Sequence, residues 1–113
     1  MELSFDKQDN IGILGLSGNL IGEKDGLPIS ENFSGYLENG TSQFVIDLSD
    51  LQLINSTGLG VLITLLTKAR KAGGEVVLAN PTDYIQNLLL ITKLNTIFQI
   101  FPSTEEAVAS FQG

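Results

Sequence analysis

Between Phe44 and Leu66 the hydrophobic period of the chain changes, and few folds accommodate that change. Phe44, Val45, Ile46 and Leu48 form a run broken only by Asp47, the pattern of a strand buried on both faces. A short loop follows. From Leu59 onward the apolar residues return at helical spacing, which predicts a helix from about Thr57 to Ala72 that opens on Ser56. Lys68, Arg70 and Lys71 gather at its negative end, and Gly73-Gly74 is its stop. A buried strand feeding straight into a long helix is the repeating unit of a parallel sheet.

The flanking segments extend that unit. Leu3 and Phe5 alternate with polar residues, Asp9-Asn10 supplies a turn, and Ile11 to Gly18 reads as a second strand antiparallel to the first. Asn19 to Ile29 is irregular, with Gly22, Gly26 and Pro28. Ser30 can then cap a short helix over Glu31 to Leu37, ended by Gly40. Glu75 to Ala79 is another short buried strand. Asn80-Pro81-Thr82-Asp83 punctuates the chain and starts a third helix with Ile85, Leu88, Leu89 and Thr92 on one face. Ile97 to Phe101 reads as a last strand. Ser103-Thr104-Glu105-Glu106 opens a terminal helix with Ala107, Val108 and Phe111 as its apolar stripe. The expected fold is therefore a single α/β domain over residues 1–113. Its mixed sheet has an antiparallel pair first and parallel strands after it, with helices packed on top.

Composition narrows the chemistry. Six Lys and Arg against 13 Asp and Glu give a net charge of −7, which opposes binding to nucleic acid or to an anionic membrane surface. A partner with a basic face is the natural complement. With no Cys and no His, the chain has no thiol nucleophile, no zinc–thiolate site and no imidazole base. No apolar run approaches the roughly 20 residues of a membrane span, and Met1 to Asp6 lacks the character of a signal peptide. A soluble cytoplasmic protein is the expectation, with no cofactor and no metal.

Ser56 is the leading candidate site. Its plainest role is a helix N-cap, worth about 1 kcal/mol. Its place adds a second role, because ligand sites of open parallel sheets gather beyond the carboxyl ends of the strands. A helix start also tolerates a phosphate, since its N–H groups lack partners and its dipole is positive there. Gly58 and Gly60, without side chains, are expected to keep the surface around Ser56 low. Val61, Leu65, Leu62, Leu59 and Ile63, with Leu66, Ala69 and Ala72, span about 200° of the helix, twice what packing on a sheet needs. Some of Leu59, Val61, Ile63 and Leu65 are thus expected at the surface beside Ser56. Asp47 and Asp50 are the one acidic pair nearby. A Mg²⁺-dependent Asp enzyme is the competing class, although Asp47 lies within the strand and no third ligand is evident.

The run Asp47-Leu48-Ser49 through Asn55-Ser56-Thr57-Gly58-Leu59-Gly60 resembles the phosphorylation motif of STAS-domain anti-sigma factor antagonists. Further likeness lies in Ala79-Asn80-Pro81, Leu88-Leu89, Thr92-Lys93-Leu94, Ile97 to Phe101 and Glu105-Glu106-Ala107. The resemblance implies a STAS-like fold and a switch that is not an enzyme. It implies that an anti-sigma serine kinase binds the unmodified domain and phosphorylates Ser56, and that a phosphatase resets it. Asn55, Ser56, Thr57, Gly58, Leu59, Gly60 and Ile63 would carry the partner contact. The chain departs from the family at Asn55, where Asp is usual, and in the Gly22 to Gly26 loop. A STAS subunit of a transport or lipid-trafficking assembly, never phosphorylated, is the alternative within the same family.

Overall fold

The structure, a computed structural model describing residues 1–112, is a five-stranded sheet covered by four helices. The chain runs β1 (Glu2–Gln8), β2 (Ile11–Leu20), α1 (Glu23–Glu38), β3 (Gln43–Ile54), α2 (Ser56–Lys71), β4 (Glu75–Ala79), α3 (Asp83–Ile91), β5 (Ile100–Phe101) and α4 (Thr104–Gln112). The strands lie in the sheet in chain order, β1-β2-β3-β4-β5. β1 and β2 are antiparallel, and every later neighbour is parallel. The mixed sheet expected from the sequence is thus present. Asp9 and Asn10 close the first hairpin with φ of 50° and 68°, the left-handed pair that a two-residue turn demands.

β3 is the spine of the molecule, and its residues alternate between two cores. Phe44, Ile46 and Leu48 join α1, α2 and α3 in the larger one, while Val45 faces Val77, Ala107 and Val108 in the smaller one under α4. Phe33 of α1 is fully buried against Phe44, with ring centroids 4.2 Å apart. Truncating either ring to Ala would cost about 3–5 kcal/mol.

Three elements differ from expectation. β3 does not stop at Leu48 but continues to Ile54, with β2 alone as its partner beyond Asp47. Two bulges in that stretch each give β3 one extra residue, between Gly15/Ser17 and between Gly18/Asn19 on the β2 side. Asp50 is therefore an exposed strand residue, not a loop residue past a strand end.

α1 begins at Glu23, a full two turns before Ser30. Asp25 starts it by accepting from the backbone N–H groups of Ile21 and Gly22, 3.3 and 3.2 Å away. Pro28 deletes one helical donor, but the buried face of Gly26, Ile29 and Phe33 outweighs that loss. Lastly, Ile97 to Phe101 is a strand only at its final two residues. A 3₁₀ turn at Leu94–Thr96 precedes it, and Phe98 plugs the larger core.

Candidate functional site

α2 begins one residue after β3 ends, so the strand aims the helix start straight out of the sheet. Asn55 makes that junction and, contrary to the expectation for Ser56, Asn55 is the cap. Its Oδ1 accepts from Gly58 N at 3.0 Å, and its Nδ2 donates to the Ile21 carbonyl at 2.8 Å. One side chain therefore ties the helix start to the β2–α1 turn.

Ser56 is the first helical residue and is exposed. Among the described residues its hydroxyl has no intramolecular hydrogen bond, so it is free for chemistry. Thr57 is also exposed. It borders a groove between α1 and α2, about 650 Å³ in volume, with Glu23, Lys24, Leu27, Ser30, Gly60 and Val61, and among the described residues its hydroxyl also has no intramolecular hydrogen bond.

The two glycines play different parts. Gly58 is buried, and a Cβ there would strike the Leu20 carbonyl and come within 2.6 Å of Ile54 Cγ1. Its role is close packing of the helix start on the strand ends, not surface access. Gly60 is exposed, with nothing within 4 Å of where a Cβ would stand. Leu59, expected on the docking surface, is only 7% exposed, and Leu65 is fully buried. The wide apolar arc packs into the larger core, with α1 closing on its Val61 edge. Gly26 lets that helix approach so closely that its Cβ would lie 2.6 Å from Val61 Cγ2. Ile63, at 37% exposure, is the one of the four expected residues left at the surface, since Val61 is half-buried. Sequence reasoning missed Ile21, Leu27 and Leu53, all exposed apolar residues. Leu27 is 61% exposed and lines the groove itself. Its signal was hidden because that segment read as irregular.

Electrostatically the start of α2 stands apart. α1, α3 and α4 each carry acidic residues in the first turn, whereas α2 has none, and its last turn holds Lys68, Arg70 and Lys71. No acidic residue of its own first turn offsets the positive end of its dipole, while Glu23 of α1 lines the adjoining groove; an added anion at such an end gains about 0.3–1 kcal/mol.

Asp47 has a different fate. Its Oδ1 accepts from Ser49 N at 3.0 Å and from Asn80 Nδ2 at 3.1 Å, and Asn80 Nδ2 also reaches Thr104 Oγ1 at 3.0 Å. This network stitches β3, the β4–α3 turn and α4 together. Among the described residues no cluster of three or more His, Cys, Asp and Glu could hold a metal. No described helix is long and apolar enough to cross a membrane.

Comparison with known proteins agrees with this geometry. The family description that matches the chain is the STAS domain, over residues 2–107. A Thermotoga neapolitana relative named "Putative anti-sigma factor antagonist TM1081 homolog" is 32% identical over 81 residues, 72% of each chain. A Bordetella bronchiseptica relative, named as the antagonist BtrV in the same terms, is 28% identical over 99% of this chain and 96% of its own. Among solved structures, Thermotoga maritima TM1081 superposes with a TM-score of 0.87 at 23% identity, covering 98% of this chain and 95% of that one. The antagonist SpoIIAA shares the fold in its unphosphorylated and phosphorylated forms, with TM-scores of 0.76 and 0.75 at 16% identity; each superposition covers at least 97% of both chains. The fold also makes up 18% of the murine anion transporter Slc26a9, with a TM-score of 0.78 at 16% identity over 95% of this chain. From its β1 strand to the start of its last helix, the chain belongs to the STAS domain family.

Proposed function

We propose that this domain is a phosphorylation-controlled docking switch of the anti-sigma factor antagonist type. In this reading it binds a serine kinase that also restrains a sigma factor. The kinase phosphorylates Ser56 and so ends the contact, and a phosphatase restores it. The carrying observation is Ser56 itself: an exposed hydroxyl with no internal partner, at the first position of a helix that has no acidic residue in its first turn. Phosphate adds about −1.5 to −2 charges there. The helix start accommodates that charge, so the fold persists while the surface changes sign.

Around it, Thr57, Gly60 and Ile63 form the α2 side of the docking face, Leu27 lines the groove on the α1 side, and exposed Ile21 adjoins it through the Asn55 bond. Gly58 and Leu59 support this face from beneath. Asn55 shapes it and spends both its polar groups within the chain. No step of this cycle asks the domain for catalysis, a cofactor or a metal. Asp47, the centre of an Asp enzyme, is instead held in a structural network. The likeness to Slc26a9 supports a second reading, a transporter-linked domain that is never phosphorylated. The relatives that align along most of this chain at 28–32% identity are named antagonists, which favours the first.

Calorimetry with an anti-sigma serine kinase from the same organism tests the proposal. Ser56→Ala binds like the wild type. Ser56→Asp, which suits a helix N-terminus but places a charge in the interface, binds at least about tenfold more weakly, a difference of roughly 1.4 kcal/mol. Equal affinities for the two variants contradict a charge-gated interface.

A further inference from the structure

The docking face is built from two separate segments. Ile21 and Leu27 come from the β2–α1 turn and the first turns of α1, while Ser56, Thr57, Gly60 and Ile63 come from α2. The backbone pairing of β2 with β3 ends at Leu20 and Ile54, one residue short of Ile21 and Asn55, so beyond that pair the two segments are joined by side chains. The polar bridge across the junction is Asn55, whose Nδ2 donates to the Ile21 carbonyl while its Oδ1 accepts from Gly58 N. On the Ile21 side, Asp25 gathers the N–H groups of Ile21 and Gly22, so the turn is held at its carbonyl by one residue and at its amides by another.

We propose that Asn55 is a positioning residue: its amide locks the β2–α1 turn onto the start of α2, so the two halves of the docking face meet the partner as one preformed surface. The inference rests on the proposed docking role of that face. It requires an amide in particular. Asp or Ser at 55 can still accept from Gly58 N and cap α2. At neutral pH an ionised Asp has no proton for the Ile21 carbonyl, and Ser is too short to reach across the junction. A partner must then organise the turn itself, and ordering it costs affinity.

Asn55→Asp separates this role from simple capping by the sign of a titration. If the carboxyl only caps, its ionised form is favoured by the α2 dipole, and its pKa falls below the ordinary value near 4. If the tie to Ile21 dominates, the protonated form is favoured, because only then can an O–H donate to the Ile21 carbonyl. The pKa then rises above the ordinary value. The stability gained from the tie is present below the unfolded-state pKa and is lost as pH rises through the folded-state pKa.

The test is a carbon-detected NMR titration of Asn55→Asp, with backbone relaxation of Asn55→Ser as a second arm that needs no partner. A raised carboxyl pKa, and new fast motion at Ile21 to Lys24 with α2 unchanged, support the proposal. A depressed pKa, or an Asn55→Ser turn as rigid as in the wild type, overturns it. With the kinase, Asn55→Ser raises the KM for Ser56 phosphorylation about three- to tenfold, the worth of one hydrogen bond, at nearly constant kcat. An unchanged KM overturns the docking role of the tie. A wild-type chain that the kinase neither binds nor phosphorylates refutes the proposed function instead, and the titration still decides the tie.

Discussion

β3 ends twice, and its two ends are built in opposite ways. At Asp47 its pairing with β4 stops, and the exposed polar groups are consumed at once by Ser49, Asn80 and Thr104. At Ile54 its pairing with β2 stops, and the chain delivers Ser56 with its hydroxyl unused. The first end shows what a finished structural joint looks like: each side chain has partners from other elements. Against that standard the second end keeps one side chain, Asn55, fully bonded and leaves the Ser56 hydroxyl to solvent, where the proposed phosphate would attach. A strand end is thus not in itself a site, and what distinguishes the two is where the hydrogen bonds go.

The largest expected effect falls on the closed end. Asn80 holds a left-handed backbone with φ of 57° and bridges Asp47 to Thr104. Asn80→Ala removes both bonds and meets the left-handed penalty, for a loss of about 2–4 kcal/mol. Urea unfolding measures it, and the folded variant still binds the kinase with wild-type affinity. Weakened binding at full folding breaks the division between the two ends.

Next comes Gly58. Gly58→Ala forces a methyl against the Leu20 carbonyl and Ile54, and costs about 1–3 kcal/mol. Gly60→Ala, two positions on and facing open space, gains about 0.5–1 kcal/mol. Thermal unfolding of the pair reads both signs, and equal shifts show that the helix start is not packed as described.

Those glycines also show what the sequence could and could not say. Gly58 and Gly60 look alike in a motif, and only the packing of Leu20 and Ile54 tells them apart. The parallel core was legible because Phe44 to Leu48 and Glu75 to Ala79 are dense apolar runs of strand length. The second half of β3 was not legible. Each bulge adds a residue, so the buried positions Leu48, Leu51 and Ile54 recur every three residues and match no strand period. The early start of α1 was masked by Gly22, Gly26 and Pro28, which read as breakers. Gly26 is in fact a close contact of α1 on α2, against Val61. Ser56 was singled out for its position. Its neighbour Asn55 proved to be the cap because an amide satisfies both Gly58 N and the Ile21 carbonyl.

The smallest stability effect belongs to Ser56→Ala. With no hydrogen bond to lose, the change stays within about 0.5 kcal/mol in urea unfolding. A loss near 2 kcal/mol instead makes Ser56 a structural residue like Asn80 and removes the contrast between the ends.

The most direct measurement is phosphosite mapping by mass spectrometry, after incubation of the intact protein with ATP and an anti-sigma serine kinase from the same organism. The account predicts one phosphate, on Ser56, and none on Thr57, whose side chain borders the groove between α1 and α2. Phosphate on Thr57 or at the closed end, or no phosphate under conditions where the kinase binds the domain, contradicts it.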